Sequence, residues 1–130
     1  MRILVVDDEG IVLASCRRVL GPENYEVMSA ASAEEALAML EKTSPSLLLV
    51  DVKMPRHDGI YLVRELKKRK CRIPIILMSG YDTEETVAQA EAIGASRFMA
   101  KPFTPQELLE TIKAVIQKEV VDGNNSSIGN

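Results

Sequence analysis

Leu47-Leu48-Leu49-Val50-Asp51 is the stretch that decides the fold. Four apolar residues run straight into a carboxylate, and Val52-Lys53-Met54-Pro55 follows. A run this short and this apolar predicts a strand buried on both faces, the habit of the middle of a parallel sheet. An Asp at its last position stands at the carboxyl edge, where open α/β sheets bind their ligands. Two further runs have the same form, Ile3-Leu4-Val5-Val6-Asp7-Asp8 and Ile75-Ile76-Leu77-Met78-Ser79. A fourth, Arg97-Phe98-Met99-Ala100, leads into Lys101.

Working outward, strand and helix patterns alternate five times, which predicts a (βα)5 sheet of parallel strands. Strands are expected near 2–6, 25–29, 47–51, 73–78 and 96–100. The first helix spans about 10–20 and stops at Gly21-Pro22. The second opens on Ser32 with Glu35 three residues later, a capping box. The third follows the Asp58-Gly59 turn and ends near 70. The fourth is capped by Asp82 or Thr83, carries Glu84 and Glu85 in its first turn, and stops at Gly94. The fifth opens on Thr104-Pro105-Gln106-Glu107 and ends near 120. Residues 1–120 form one domain, and 121–130 read as a flexible tail or the start of a linker.

Strands one, three and four are continuous apolar runs and belong in the centre. Strands two and five mix polar residues and belong at the edges. Right-handed crossovers then favour the flavodoxin-like, doubly wound order 2-1-3-4-5. The switch point of that order lies between strands one and three, flanked by Asp7, Asp8 and Asp51.

Three carboxylates on one rim repel one another, and a hard divalent cation relieves that repulsion. Mg²⁺ is the expected ion, since it binds few carboxylates and keeps waters that a phosphoryl group can replace. Asp51 can then act as a nucleophile at phosphorus. Lys101 adds a positive point charge beside the phosphoryl oxygens, and Ser79 adds a hydroxyl donor. Such a transfer needs mainly positioning and charge neutralisation.

With Asp7-Asp8, the Asp51-x-x-Met54-Pro55-x-x-Asp58-Gly59 run, Ser79-Gly80 and Lys101-Pro102-Phe103, the chain resembles the receiver domain of bacterial two-component response regulators over about residues 1–120. The 2-1-3-4-5 order is that family's own. The resemblance implies a phosphorylation-dependent switch and not an enzyme in the ordinary sense. It implies a phosphoryl group passed to Asp51 from a sensor histidine kinase or phosphotransfer protein. It implies Mg²⁺ on Asp8, Asp51 and the Lys53 backbone carbonyl, with Asp7 acting through water. Ser79 and Phe98 would be the switch pair, and Lys101-Pro102 a cis peptide. The output would be a changed surface on helix four, strand five and helix five, a face suited to a homodimer. Lys53 and Tyr81 stand at variable positions that tune phosphate lifetime, and Tyr81 is expected to shield the site.

Two other functions fit the residues less well. An aspartyl-phosphate phosphatase or phosphotransferase usually carries an acid two residues after its nucleophile, where this chain has Lys53. A docking receiver that is never phosphorylated has no use for an intact acidic rim.

One hundred and thirty residues with 46% apolar and 27% charged side chains suit one globular domain. A net charge of −3 argues against nucleic-acid binding by this domain. No run is long enough for a membrane span and the apolar start stops at Asp7, so a cytoplasmic location is expected. The chain is expected to be the N-terminal part of a regulator or a stand-alone receiver. Cys16 and Cys71 have no metal or redox spacing and read as free thiols. His57 reads as a solvated loop residue. The basic run from Arg64 to Arg72 reads as the outer face and C-terminal end of helix three.

Overall fold

The computed structural model describes residues 1–81 and 83–129. Five strands, β1 (Arg2–Val6), β2 (Glu26–Ala30), β3 (Leu47–Asp51), β4 (Ile75–Ser79) and β5 (Arg97–Ala100), alternate with five helices. The helices are α1 (Gly10–Leu20), α2 (Ala33–Leu40), α3 (Gly59–Lys68), α4 (Glu84–Ala92) and α5 (Pro105–Gly129). All neighbouring strands are parallel, in the order β2-β1-β3-β4-β5. Every residue of β3 and β4 is buried, whereas β2 and β5 are partly open, as edges are.

Alternation along the central strands feeds two cores. Leu4, Val6, Leu48, Val50 and Leu77 pack with Ala36 of α2, Leu62 and Leu66 of α3, and Ala90 of α4. Ile3, Val5, Leu47, Leu49 and Ile76 pack with Cys16 and Leu20 of α1 and with Leu108, Ile112 and Val115 of α5. Because both faces are covered, β3 has to be apolar throughout until it reaches its rim.

Local signals set most of the ends. Ser32 Oγ accepts from the Glu35 N–H, but Glu35 reaches back to the N–H of Ala31 rather than that of Ser32. Thr104 and Glu107 form the complete reciprocal box, each side chain accepting from the other's N–H at 3.1 Å. Thr83 caps α4; the alternative cap, Asp82, lies outside the described residues. Gly94 has φ +86°, a left-handed stop that Gly adopts without strain.

Three boundaries differ from expectation. β4 starts at Ile75 rather than near 73, because Pro74 has no N–H to give to the ladder and only its carbonyl takes part, accepting from Leu48. Its pairing with β5 runs on to Ser79, opposite Ala100, one residue past the expected end. β2 is displaced by one residue to Glu26–Ala30. α5 continues helical as far as Gly129, past the end expected near 120. Each residue added to an existing helix gains a hydrogen bond, so weak helix formers can prolong one that they could not start.

Candidate functional site

The rim is assembled from the last residues of β3 and β4 and the first residues beyond β1 and β5. Asp7 extends β1 by one step, its N–H donating to the Ala30 carbonyl at 3.1 Å. That step takes its carboxylate fully out of solvent. There Oδ1 accepts from the Glu9 N–H at 2.9 Å and Oδ2 accepts from Lys101 Nζ at 2.8 Å. Asp8 points to the open side. Asp51 ends β3, 3% exposed. Carboxylate oxygens of Asp7, Asp8 and Asp51 lie within 4.8 Å of one another.

Among the described residues, Lys101 is the one ammonium paired with this group. Its backbone N–H donates to the Ser79 carbonyl at 2.8 Å, which ties the end of β5 to the end of β4. Its Nζ lies 3.4 Å from Asp51 Oδ2 and 3.5 Å from Glu9 Oε1. The Lys101–Pro102 peptide is cis. Burial works against the lysine's charge, but the hydrogen bond to Asp7 and the charges of Asp51 and Asp7 outweigh it, so its pKa is raised. Asp51 moves the other way from an ordinary carboxylate. Burial, then the neighbouring charge of Asp7, push its pKa up to about 6 against the pull of Lys101.

Ser79 is fully buried, on the strand next to Asp51. Its Oγ accepts from the Tyr81 N–H at 2.9 Å, which leaves its own proton free to donate. Phe98 stands apart from the rim, half-buried and in register with Leu77 of β4. Tyr81 does not enter the acidic group. It is 61% exposed, and Lys53 Nζ lies 5.1 Å from its ring centroid. The Lys53 N–H makes a long 3.4 Å contact with Asp51 Oδ1.

The donor set fits a hard cation. Three carboxylates gather oxygen ligands only, and a single ammonium leaves them under-neutralised. Asp8, on the open side, is where such an ion could keep water ligands.

Two residues of the site were missed by sequence reasoning. Glu9 adds a fourth carboxylate beside Lys101; the unbroken acidic run from Asp7 to Glu9 was its only signal. Gly59, read only as a turn residue, starts α3 directly beneath Asp51. A Cβ there would meet the Asp51 carbonyl oxygen and lie 3.0 Å from Val50 Cγ1. His57, read as a solvated loop residue, is exposed in that loop and is also bonded through Nδ1 to Glu34 Oε1 at 2.6 Å and stacked on Tyr61 at 4.0 Å.

Among curated proteins the chain is similar to the alkaline phosphatase synthesis transcriptional regulatory protein PhoP of Bacillus subtilis. The two are 33% identical over 129 residues, 99% of this chain and 54% of PhoP. Response regulator MprA of Mycobacterium leprae is 38% identical over 98% of this chain and 56% of its own. This chain thus spans about half the length of the curated relatives it matches. Among solved structures, a CheY-like receiver domain protein from Methanospirillum hungatei has a TM-score of 0.87 at 35% identity, covering 93% of this chain and 97% of that one. Chemotaxis protein CheY4 of Vibrio cholerae has a TM-score of 0.83 at 30% identity, with 88% and 97% covered. The response regulator receiver domain family model matches residues 3–113. With the strand order, the acidic rim and the Lys101 bridge already in place, that match makes this chain a member of the response regulator receiver domain family.

Proposed function

We propose that Asp51 is the phosphoacceptor of this receiver and takes its phosphoryl group from a sensor histidine kinase or phosphotransfer protein. The observation that carries this reading is the buried carboxylate of Asp51 held between two further aspartates and Lys101. A carboxylate oxygen of Asp51 forms the new bond to phosphorus. The bond to the donor's leaving atom breaks, and the leaving group departs with that electron pair.

Asp8, Asp51 and the Lys53 carbonyl would hold Mg²⁺, with Asp7 acting through water; the ion supplies positive charge to the phosphoryl oxygens. Lys101 would supply further positive charge and is kept protonated by Asp7 and Asp51. Ser79, whose hydroxyl proton is left free by the bond from the Tyr81 N–H, would donate it to a phosphoryl oxygen on Asp51. The turn between Ser79 and Tyr81 would follow Ser79, and Phe98 would turn inward behind it. The surface of α4, β5 and α5 then becomes the output and a homodimer face. The domain works in the cytoplasm on protein partners.

The test uses acetyl phosphate and Mg²⁺. Intact-protein mass should rise by one phosphoryl group, and chelation of the metal should prevent it. Asp8→Asn should slow labelling by an order of magnitude or more, as loss of a metal ligand does. An unchanged mass for the native chain would overturn the assignment.

Tyr81 carries a separate expectation. Lys53 Nζ lies 5.1 Å from its ring centroid, two residues along the chain from Asp51, which supports a role in screening the phosphorylated acceptor from water. Tyr81→Ala should shorten the lifetime of the phosphorylated form severalfold, read as the decay of the mass adduct after the donor is removed. Equal decay in the two proteins means that the ring is no shield.

A further inference from the structure

We infer that the chain has a second ligand site, for a nucleoside phosphate, at the edge of the sheet opposite the acidic rim. A cavity of about 660 Å³ opens there, between the end of α2 and the turn from α3 to β4. Its residues lie in the last turns of α2 and α3 or between those helices and β3 and β4, so the length of the parallel strands separates it from Asp51. Five residues of strand span roughly 15 Å.

The charge of the molecule is divided between these two ends. From Arg64 to Arg72 there are six cations and one acid, Glu65, in a chain whose net charge is −3. Three of the cations, Arg69, Lys70 and Arg72, line the cavity, and only one acid, Glu41, joins them. Among the described residues none of the three makes an ion pair.

These side chains are also released from helix capping. Three of the last four carbonyls of α3 are already satisfied by backbone, with the N–H groups of Arg69, Lys70 and Cys71 donating to Glu65, Lys67 and Leu66. Lys70 takes φ +58° to close that turn. The cations are therefore available for an external anion.

The rest of the lining distinguishes this site from a plain basic patch. Leu40, Leu66, Ile73 and Pro74 form an apolar wall, and Ser44 and Ser46 add hydroxyls. Pockets of 300–1,000 Å³ with an apolar lining and a few convergent polar groups are the usual seat of small organic ligands. A ligand that answers both halves has a flat, weakly polar ring for the wall and phosphates for the arginines. Nucleoside phosphates have that build.

The test titrates ATP into the full chain with excess chelator present, following backbone amide resonances. Saturable shifts should be confined to the lining around Arg69–Ile73, with millimolar or tighter affinity. Arg69→Glu combined with Arg72→Glu should weaken binding by about tenfold or more, since each removes a charge-assisted contact. Both positions are exposed, so the melting temperature and acetyl phosphate labelling should be retained. Four results would overturn the inference: no saturation, shifts at the acidic rim instead, undiminished binding by the charge-reversed protein, or pyrophosphate binding as tightly as ATP. Tighter binding of a single-stranded oligonucleotide than of ATP would also overturn it, in favour of nucleic acid.

Discussion

Asp51→Asn will take up no phosphoryl group and, in metal-free solution at neutral pH, will be more stable than the native chain. The first half follows from the acceptor role. If the variant still gains the mass of a phosphoryl group, another residue is the acceptor. The second half follows from electrostatics. Burial and the charge of Asp7 raise the Asp51 pKa from an ordinary 3.8 to about 6. The folded chain therefore holds this proton more tightly than the unfolded chain does. Its stability rises as pH falls from above 6 toward 4, and that contribution is lost as pH rises through about 6.

Asparagine cannot ionise, so it avoids the cost of a buried charge beside Asp7. The rise from 3.8 to about 6 bounds the gain at roughly 3 kcal/mol, and about 1–3 kcal/mol is the expected range above pH 6. Denaturant melts in chelator at pH 7.5 and pH 4.5 should show the difference shrinking at the lower pH. Adding Mg²⁺ should stabilise the native chain more than the variant and narrow the gap at pH 7.5. A variant less stable than the native protein at both pH values would mean that attraction to Lys101 exceeds the cost of burial.

Gly59→Ala will be destabilised by about 1–3 kcal/mol or more, the range seen when a close-packed site is overfilled. The added methyl would fall on the Asp51 carbonyl oxygen, with Val50 behind it. That obstacle is backbone, not the end of a flexible side chain, so α3 or the end of β3 has to move. The Gly59 N–H also donates to the Val52 carbonyl at 2.9 Å, and any shift strains this bond. Because Asp51 moves with its own carbonyl, phosphoryl uptake should slow along with the loss of stability. Gly10→Ala, at the exposed first position of α1, is the control: its Cβ would meet nothing within 4 Å, so it should be neutral or stabilising by up to about 1 kcal/mol. Equal melting temperatures for Gly59→Ala and Gly10→Ala would show that the contact beneath Asp51 relaxes freely.

The acidic rim was legible because its chemistry sits at strand ends. A carboxylate after a buried apolar run declares its position along the strand, and Asp7, Asp51, Ser79 and Lys101 all follow such runs. Pairings across the rim have no local signature. Lys101 donates to Asp7 at 2.8 Å and is farther from Asp51, at 3.4 Å, a preference between residues 94 positions apart. The Glu34–His57 pair and the contact beneath Gly59 depend in the same way on where one loop passes over another element. The run Arg64–Arg72 was readable as charge, but not as the wall of a cavity, because its apolar half comes from α2 and the start of β4.

The order of the strands, the two layers of helices and the gathering of acids at one edge were determined by the sequence alone. Burial on both faces forces an uninterrupted apolar run, and such a run is visible without coordinates. Which oxygen Lys101 holds, how far the Asp51 proton affinity rises, and what lies beneath Gly59 were decided only by the tertiary structure. These depend on distances of a few ångströms between segments far apart in the chain, and both Coulomb energy and steric contact change steeply over that range.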